Sequence, residues 1–88
     1  MGMRMSLDKP SIYVDFQNCD SLGRVRLNTA GTFQDLKQLE IGLQKGFAVH
    51  LYCMELEADG IIEYSKEENI WVAIFNVDDL KERKPGAN

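Results

Sequence analysis

The sequence contains few of the residues that most often ligate metals, catalyse reactions or form cross-links. Its only histidine is His50, and its only cysteines, Cys19 and Cys53, lie far apart in the chain. Two isolated cysteines exclude a Cys-x-x-Cys zinc pair and argue against a disulfide framework. A lone histidine with no ligand or nucleophile at a telling spacing favours neither a metal centre nor a catalytic site. The sequence therefore predicts a protein without cofactor, metal or enzymatic activity, kept in a reducing cytoplasm.

Long apolar runs are also missing. No segment approaches the roughly 20 apolar residues that a membrane-spanning helix needs, and no apolar stretch follows residues 1–5 as it would in a secretory signal. We therefore expect no membrane partner. An apolar fraction of 44% in 88 residues is typical of one small globular domain. The pattern predicts a flexible lead-in over residues 1–10, a globular domain over residues 11–80 and a flexible tail over residues 81–88.

Negative charge is concentrated in the second half of the chain. The formal net charge is −4; residues 1–45 hold six Lys/Arg against five Asp/Glu, whereas residues 46–88 hold four against nine. The acidic half would repel a phosphate backbone, so nucleic acid is an unfavourable partner for it.

Residues 46–77 contain three runs rich in β-branched and aromatic residues, separated by short turn-forming clusters, and this pattern predicts an antiparallel meander. Gly60 is either the turn of a tight hairpin or a bulge in one long bent strand over residues 56–65. Asn69 suits the second turn, because asparagine tolerates a positive φ. Residues 70–75 are apolar on both faces, which indicates a central strand buried on both sides.

The first half of the chain predicts two strands and a helix. Residues 11–17 and 24–28 alternate between apolar and polar side chains and make a plausible hairpin, with Asp15 on the same face as two arginines. Thr32 and Asp35 resemble a capping box at the start of a helix over about residues 32–40. Its apolar stripe would consist of Phe33, Leu36, Leu39 and Leu43.

The resulting order, β-β-α-β-β-β, predicts an α+β fold. Strands of this number and length tend to curl, so we expect a strongly bent antiparallel sheet or a small SH3-like barrel with one short helix.

Two segments carry a resemblance to known proteins. Gly-Arg-Val-Arg-Leu-Asn-Thr-Ala-Gly-Thr-Phe-Gln-Asp-Leu at 23–36 and Ile-Ile-Glu-Tyr-Ser-Lys-Glu-Glu-Asn-Ile-Trp-Val-Ala at 61–73 resemble short, uncharacterised bacterial single-domain proteins. The similarity spans most of residues 11–80. It implies a small bacterial cytoplasmic domain and carries no activity with it.

Aromatic side chains are the most suggestive candidates for binding. Small barrels often bind extended peptides through aromatic-lined grooves, although we favour the alternative that Tyr64 and Trp71 fill the core. His50 shares a strand face with Tyr52 and is expected to be partly exposed there. The candidate binding residues are Tyr13, Arg24, Arg26, His50, Tyr52, Tyr64 and Trp71.

These features favour a non-enzymatic protein–protein interaction module that binds an unidentified protein or a second copy of itself. Self-association would use the edge strand at residues 11–17, because edge strands carry unpaired backbone donors and acceptors. One alternative is an OB-like binder of single-stranded nucleic acid that uses Arg24, Arg26, Lys37 and Lys45 with Tyr13. Another is an acidic immunity or antitoxin-type protein that neutralises a basic partner.

Overall fold

A computed structural model of the chain describes residues 9–39 and 42–83. The fold is α+β and its elements follow the predicted order β-β-α-β-β-β, with a further short strand at the end. Most of the predicted lead-in and tail, residues 1–8 and 84–88, lies outside the described residues. The elements are β1 (Ser11–Tyr13), β2 (Val25–Arg26), α1 (Ala30–Leu39), β3 (Ala48–Tyr52), β4 (Leu56–Ser65), β5 (Ile70–Phe75), a 3₁₀ turn (Val77–Asp79) and β6 (Lys81–Glu82).

The strands form one strongly curled, half-barrel sheet in the order β1-β3-β4-β5-β2. The sheet is mixed rather than fully antiparallel, because β1 runs parallel to β3. The last strand, β6, pairs with the first two residues of β4, Leu56 and Glu57, a part of β4 that β5 does not reach. The predicted tail therefore begins with two residues that belong to the sheet.

The predicted hairpin between the first two strands is wrong, since β1 and β2 lie at opposite ends of the sheet. The chain turns at residues 15–18, where Asn18 N–H donates to the Asp15 carbonyl at 2.8 Å. This turn ends β1 before it can extend to Gln17 and leads the chain away from it. Both strands nevertheless bury an apolar residue, Ile12 and Val25, in the same core. Alternation thus predicted which side chains point inward, but not which strands are neighbours.

Gly60 is neither a turn nor a bulge. The β3–β4 hairpin turns at residues 53–55, and Gly60 lies within β4 in unbroken register between Val49 of β3 and Phe75 of β5. A Cβ at this position would lie 2.6 Å from Leu51 Cδ1 and 3.0 Å from the Ile74 carbonyl oxygen. The glycine therefore permits close packing rather than an unusual φ. The prediction for Asn69 is confirmed, with φ at 59°.

The helix begins two residues earlier than predicted. Thr29 caps it: its Oγ1 accepts from Thr32 N–H at 3.1 Å, and its carbonyl accepts from Phe33 N–H. Asp35 consequently lies in the middle of α1 instead of completing a capping box. Leu36 packs against the core, whereas the Phe33 side chain points outward and is 58% exposed.

The inner, concave face of the curled sheet holds the core. Its buried members are Ile12, Val14, Val25, Leu27, Val49, Leu51, Ile62 and Ala73.

The central position predicted for residues 70–75 is confirmed, because β5 lies between β4 and β2. Its predicted burial on both faces is confirmed in the middle of the strand, where Val72 and Ala73 are both 0% exposed. It fails at Ile74, which shares a face with Val72 and is 45% exposed.

Candidate functional site

The end strand β1 is covered by the helix and does not present a free edge. Of the Tyr13 backbone groups, the N–H donates to Asp35 Oδ2 at 2.9 Å and the carbonyl accepts from the Thr32 hydroxyl at 2.5 Å. On the other side, Val14, the residue after β1, donates its N–H to the Tyr52 carbonyl of β3 at 2.9 Å. The edge predicted to mediate self-association is therefore occupied by side chains of α1.

The end strand β2 is covered in a similar way by the loop that precedes it. Arg26 N–H donates to the Asn18 carbonyl, and Asp20 N–H donates to the Arg24 carbonyl, both at 2.8 Å. Both end strands of the described sheet thus have outward backbone groups that are already hydrogen-bonded. Strand addition, one of the ways in which a sheet recruits a peptide, is therefore opposed at Tyr13 of β1 and at residues 24–26 beside β5.

Tyr13 and Tyr52 of the sheet both form hydrogen bonds with Asp35 of α1 and so connect the helix to the sheet. Their rings pack edge to face at 5.6 Å, and Tyr52 donates its hydroxyl proton to Asp35 Oδ2 at 2.7 Å. This hydrogen bond, with burial and the carboxylate charge, raises the pKa of Tyr52. Arg83 lies over the Tyr52 ring at 4.6 Å and donates to the Cys53 carbonyl. The Tyr52 hydroxyl, the Asp35 carboxylate and the Arg83 guanidinium therefore all have partners within the fold, which favours a structural role for them.

The other two aromatic candidates lie elsewhere. Tyr64 and Trp71 face each other in the β4–β5 register with ring centroids 5.1 Å apart. Trp71 packs against the core, which confirms the core-filling interpretation for that residue. The four aromatic residues therefore form two separate pairs, and the single aromatic groove is not present in the described structure.

Arg24 is engaged in a nearly buried ion pair. Its Nε donates to Asp20 Oδ2 at 2.8 Å, and the two side chains are only 15% and 3% exposed. The backbone N–H groups of Leu22 and Arg24 donate to Asp20 Oδ1 as well. Burial alone would raise the pKa of Asp20, but these donors and the guanidinium charge outweigh it and hold the pKa below its ordinary value. The pair fixes the loop beside β2.

Arg26 has partners of its own. It makes a two-pronged contact with Glu68, at 2.7 Å from Nε and 2.8 Å from Nη2, and it also donates to Asn18 Oδ1. Hydrogen bonding between the charged groups raises the pKa of Arg26 and lowers the pKa of Glu68. The two arginines chosen from the sequence thus serve mainly to hold loops to the sheet.

His50 is partly exposed on the outer face, as predicted, and has two carboxylate neighbours that the sequence pattern did not reveal. Its Nε2 lies 2.9 Å from Glu57 Oε1 and its Nδ1 lies 3.6 Å from Asp59 Oδ1. Asp59 is directly opposite His50 in the β3–β4 register. Of the two alternatives for Gly60, the single strand over residues 56–65 has the bounds of β4, and it would have placed the hairpin turn at residues 53–55 and Asp59 beside His50. Among residues 9–39 and 42–83, no group of His, Cys, Asp and Glu has a metal-binding arrangement.

A shallow groove lies beside this histidine on the outer face. Ile61 of β4 and Ile74 of β5 are directly opposite each other at its floor and are 42% and 45% exposed. The groove has a volume of about 300 Å³. Its other lining residues are Lys9, Ala48, Asp59, Gly60, Phe75, Asn76 and Asp79.

One end of the groove is acidic. Asp59 contacts Lys9 there, with Oδ2 3.4 Å from Nζ, and its side chain remains 63% exposed. Partial burial opposes ionisation of Asp59, but Lys9 and His50 together lower its pKa. Asp79 makes no ion pair within the described residues. The groove therefore combines an apolar floor with carboxylates at its rim.

Comparison with protein families, curated proteins and solved structures finds no match to this chain. The resemblance to short bacterial proteins accordingly stays a prediction. A membrane-crossing helix is not found in the described part of the chain.

Proposed function

We propose that the chain is a non-enzymatic protein-interaction module that binds a segment of another protein across the outer face of its sheet. The observation that carries this proposal is the exposed cross-strand pair Ile61–Ile74. The groove with these two residues at its floor is named the outer groove.

The position of the isoleucine pair favours a binding role. Single exposed apolar residues are normal on protein surfaces. Here two large ones meet on adjacent interior strands, with Ala48 in register beside Ile61. Neighbouring exposed apolar residues with a polar rim are typical of interaction sites.

Charge favours a foreign partner over a second copy of the chain. Glu57, Asp59 and Glu63 alternate along β4 on the same face as Ile61, and Asp79 lines the outer groove. Two such faces would bring carboxylates together, which opposes a symmetric dimer through this surface. The covered ends of the sheet favour contact through side chains rather than strand addition.

The nucleic-acid alternative is weakened by the same contacts that stabilise the fold. Arg24 and Arg26 would each have to leave a carboxylate in order to bind phosphate. We expect no binding to generic single-stranded DNA at low salt, measured by fluorescence anisotropy. Tight binding that weakens steeply with added salt would reverse this preference.

The proposal can be tested with a short, uncharged peptide of alternating threonine and isoleucine. Titration into isotopically labelled protein should shift backbone amide resonances around Ile61 and Ile74. Ile61→Thr and Ile74→Thr should each weaken these shifts, because they remove apolar surface from the floor of the outer groove.

Leu22→Thr is the matched control, because Leu22 is even more exposed but lies in the loop before β2. Equal effects of all three substitutions, or shifts that map elsewhere on the domain, would contradict the proposal.

A further inference from the structure

We infer that the segment bound in the outer groove is basic as well as apolar, and that Lys9 occupies the place of its cation until the partner binds. This inference rests on the proposed function and specifies the partner's chemistry. The contacts of Lys9, the charges around the groove and the weakness of the Lys9–Asp59 contact support it.

Lys9 is held beside the outer groove by the backbone. The next residue, Pro10, accepts a hydrogen bond at its carbonyl from His50 N–H at 2.8 Å, which fixes the chain at the start of β1. The Lys9 side chain lines the groove and reaches Asp59, yet it is 43% exposed. An alkylammonium side chain of this protein thus already rests against the apolar floor with its charge at the acidic rim.

A lysine or arginine of the partner could make the same contacts, and its positive charge would offset the two carboxylates at the rim of the outer groove. With Lys9 displaced, the carboxylates of Asp59 and Asp79 would both face the outer groove. The aliphatic stem of a long basic side chain packs well on exposed isoleucines while its charged end reaches a rim. An apolar segment carrying acidic residues would meet the same carboxylates unfavourably.

The contact made by Lys9 is weak enough to be exchanged. Exposed ion pairs contribute little to stability, since water and salt screen them and two flexible side chains must be ordered. Here both partners remain substantially exposed, and the contact distance is 3.4 Å. Lys9 therefore competes weakly with the partner's cation for Asp59, which lowers the partner's affinity slightly without closing the outer groove.

The test uses two peptides with the same isoleucine spacing, one alternating isoleucine with lysine and the other isoleucine with glutamate. At low ionic strength we expect the lysine peptide to bind about tenfold more tightly than the glutamate peptide, because complementary charge favours it. Lys9→Met should tighten binding of the lysine peptide by about threefold, the scale of an exposed ion pair.

Lys66→Met provides the matched control for net charge. Lys66 is exposed in the turn after β4, at the far end of that strand from Asp59. A larger gain for Lys9→Met than for Lys66→Met supports competition at the outer groove. Equal gains would show that only overall charge matters, and Lys9 would then have no competing role.

The outcomes also separate this inference from the proposed function. Equal binding of lysine and glutamate peptides, alongside binding of the uncharged peptide at Ile61 and Ile74, would overturn the basic partner and leave the interaction module standing. If none of the three peptides binds, both proposals are wrong.

Discussion

Two aspartates that each pair with a basic side chain differ sharply in how far the fold buries them. Asp20, beside β2, pairs with Arg24, and its side chain is 3% exposed. Asp59, in the outer groove, pairs with Lys9 and is 63% exposed. The first carboxylate accepts hydrogen bonds from a side chain and from two backbone N–H groups. The Asp20 carboxylate is thus hydrogen-bonded within the fold on both of its oxygens. The Asp59 carboxylate remains largely accessible to solvent.

Residue type is therefore a poor guide to binding in a domain this small. Arginine is the residue most suited to recognising phosphate, yet Arg24 and Arg26 are both consumed by loops that must be fixed to a short strand. The surface left open is the middle of the sheet, where isoleucines and carboxylates lie side by side.

The two regions should differ most when each aspartate is removed. Asp20→Ala should lower the free energy of unfolding by about 3 kcal/mol, because it strands a nearly buried guanidinium and two N–H groups. Asp59→Ala should cost less than about 1 kcal/mol, as expected for an exposed pair. Urea denaturation of both variants would check this, and similar costs would erase the distinction between the regions.

The floor of the outer groove should be rigid although its surface is open. Gly60→Ala would bring a methyl group against Leu51 and the Ile74 carbonyl, and we expect a loss of about 1–3 kcal/mol from overpacking. Gly42→Ala is the control, because a Cβ there meets nothing within 4 Å. Thermal melting of both variants would measure the difference. A tolerated Gly60→Ala would mean that β4 adjusts freely beneath the groove.

Acid should weaken the protein through Asp20 more than through Asp59. The pKa of Asp20 lies below its ordinary value, so the folded state binds fewer protons than the unfolded state as pH passes through that range. The contribution of Asp20 to the free energy of unfolding is therefore fully present above the unfolded pKa of about 3.9, and it is lost as pH falls through the folded pKa.

Asp20→Asn should flatten this acid dependence, measured by urea unfolding from about pH 6 to about pH 2. Asp59→Asn should leave most of it in place, although its pKa is also lowered, because solvent screens an exposed group. An unchanged slope in Asp20→Asn would assign the acid loss to other carboxylates.

The smallest effect is expected on the groove surface itself. Ile61→Thr and Ile74→Thr should each change the free energy of unfolding by less than about 1 kcal/mol, since nearly half of each side chain is already in water and threonine suits a strand. Ile62→Thr, at a fully buried neighbour, should cost several times more. Large losses at Ile61 or Ile74 would show that these residues serve the fold rather than a partner.

The local features that sequence reasoning predicted correctly depend on neighbouring residues. Alternation placed Ile12, Val14 and Phe16 on one face of residues 11–17 and turned Val25 and Leu27 inward. All of these are buried except Phe16, which is partly buried against the core. Asn69 was recognised from its tolerance of a positive φ. The helix was predicted, but its predicted start was two residues too late, because Thr29 rather than Thr32 supplies the cap.

Local sequence specified the element types, their order and most of the core, because side-chain alternation and turn chemistry act over a few residues. The tertiary fold alone set β1 parallel to β3 at one end of the sheet and β2 at the other. In that arrangement, α1 and the loop before β2 form hydrogen bonds with outward backbone groups of the two end strands. Ile61 and Ile74, on the central strands, remain partly exposed. The pairings of β1 with β3 and of β2 with β5 join segments far apart in sequence, and side-chain alternation and turn chemistry, which act over a few residues, do not specify them.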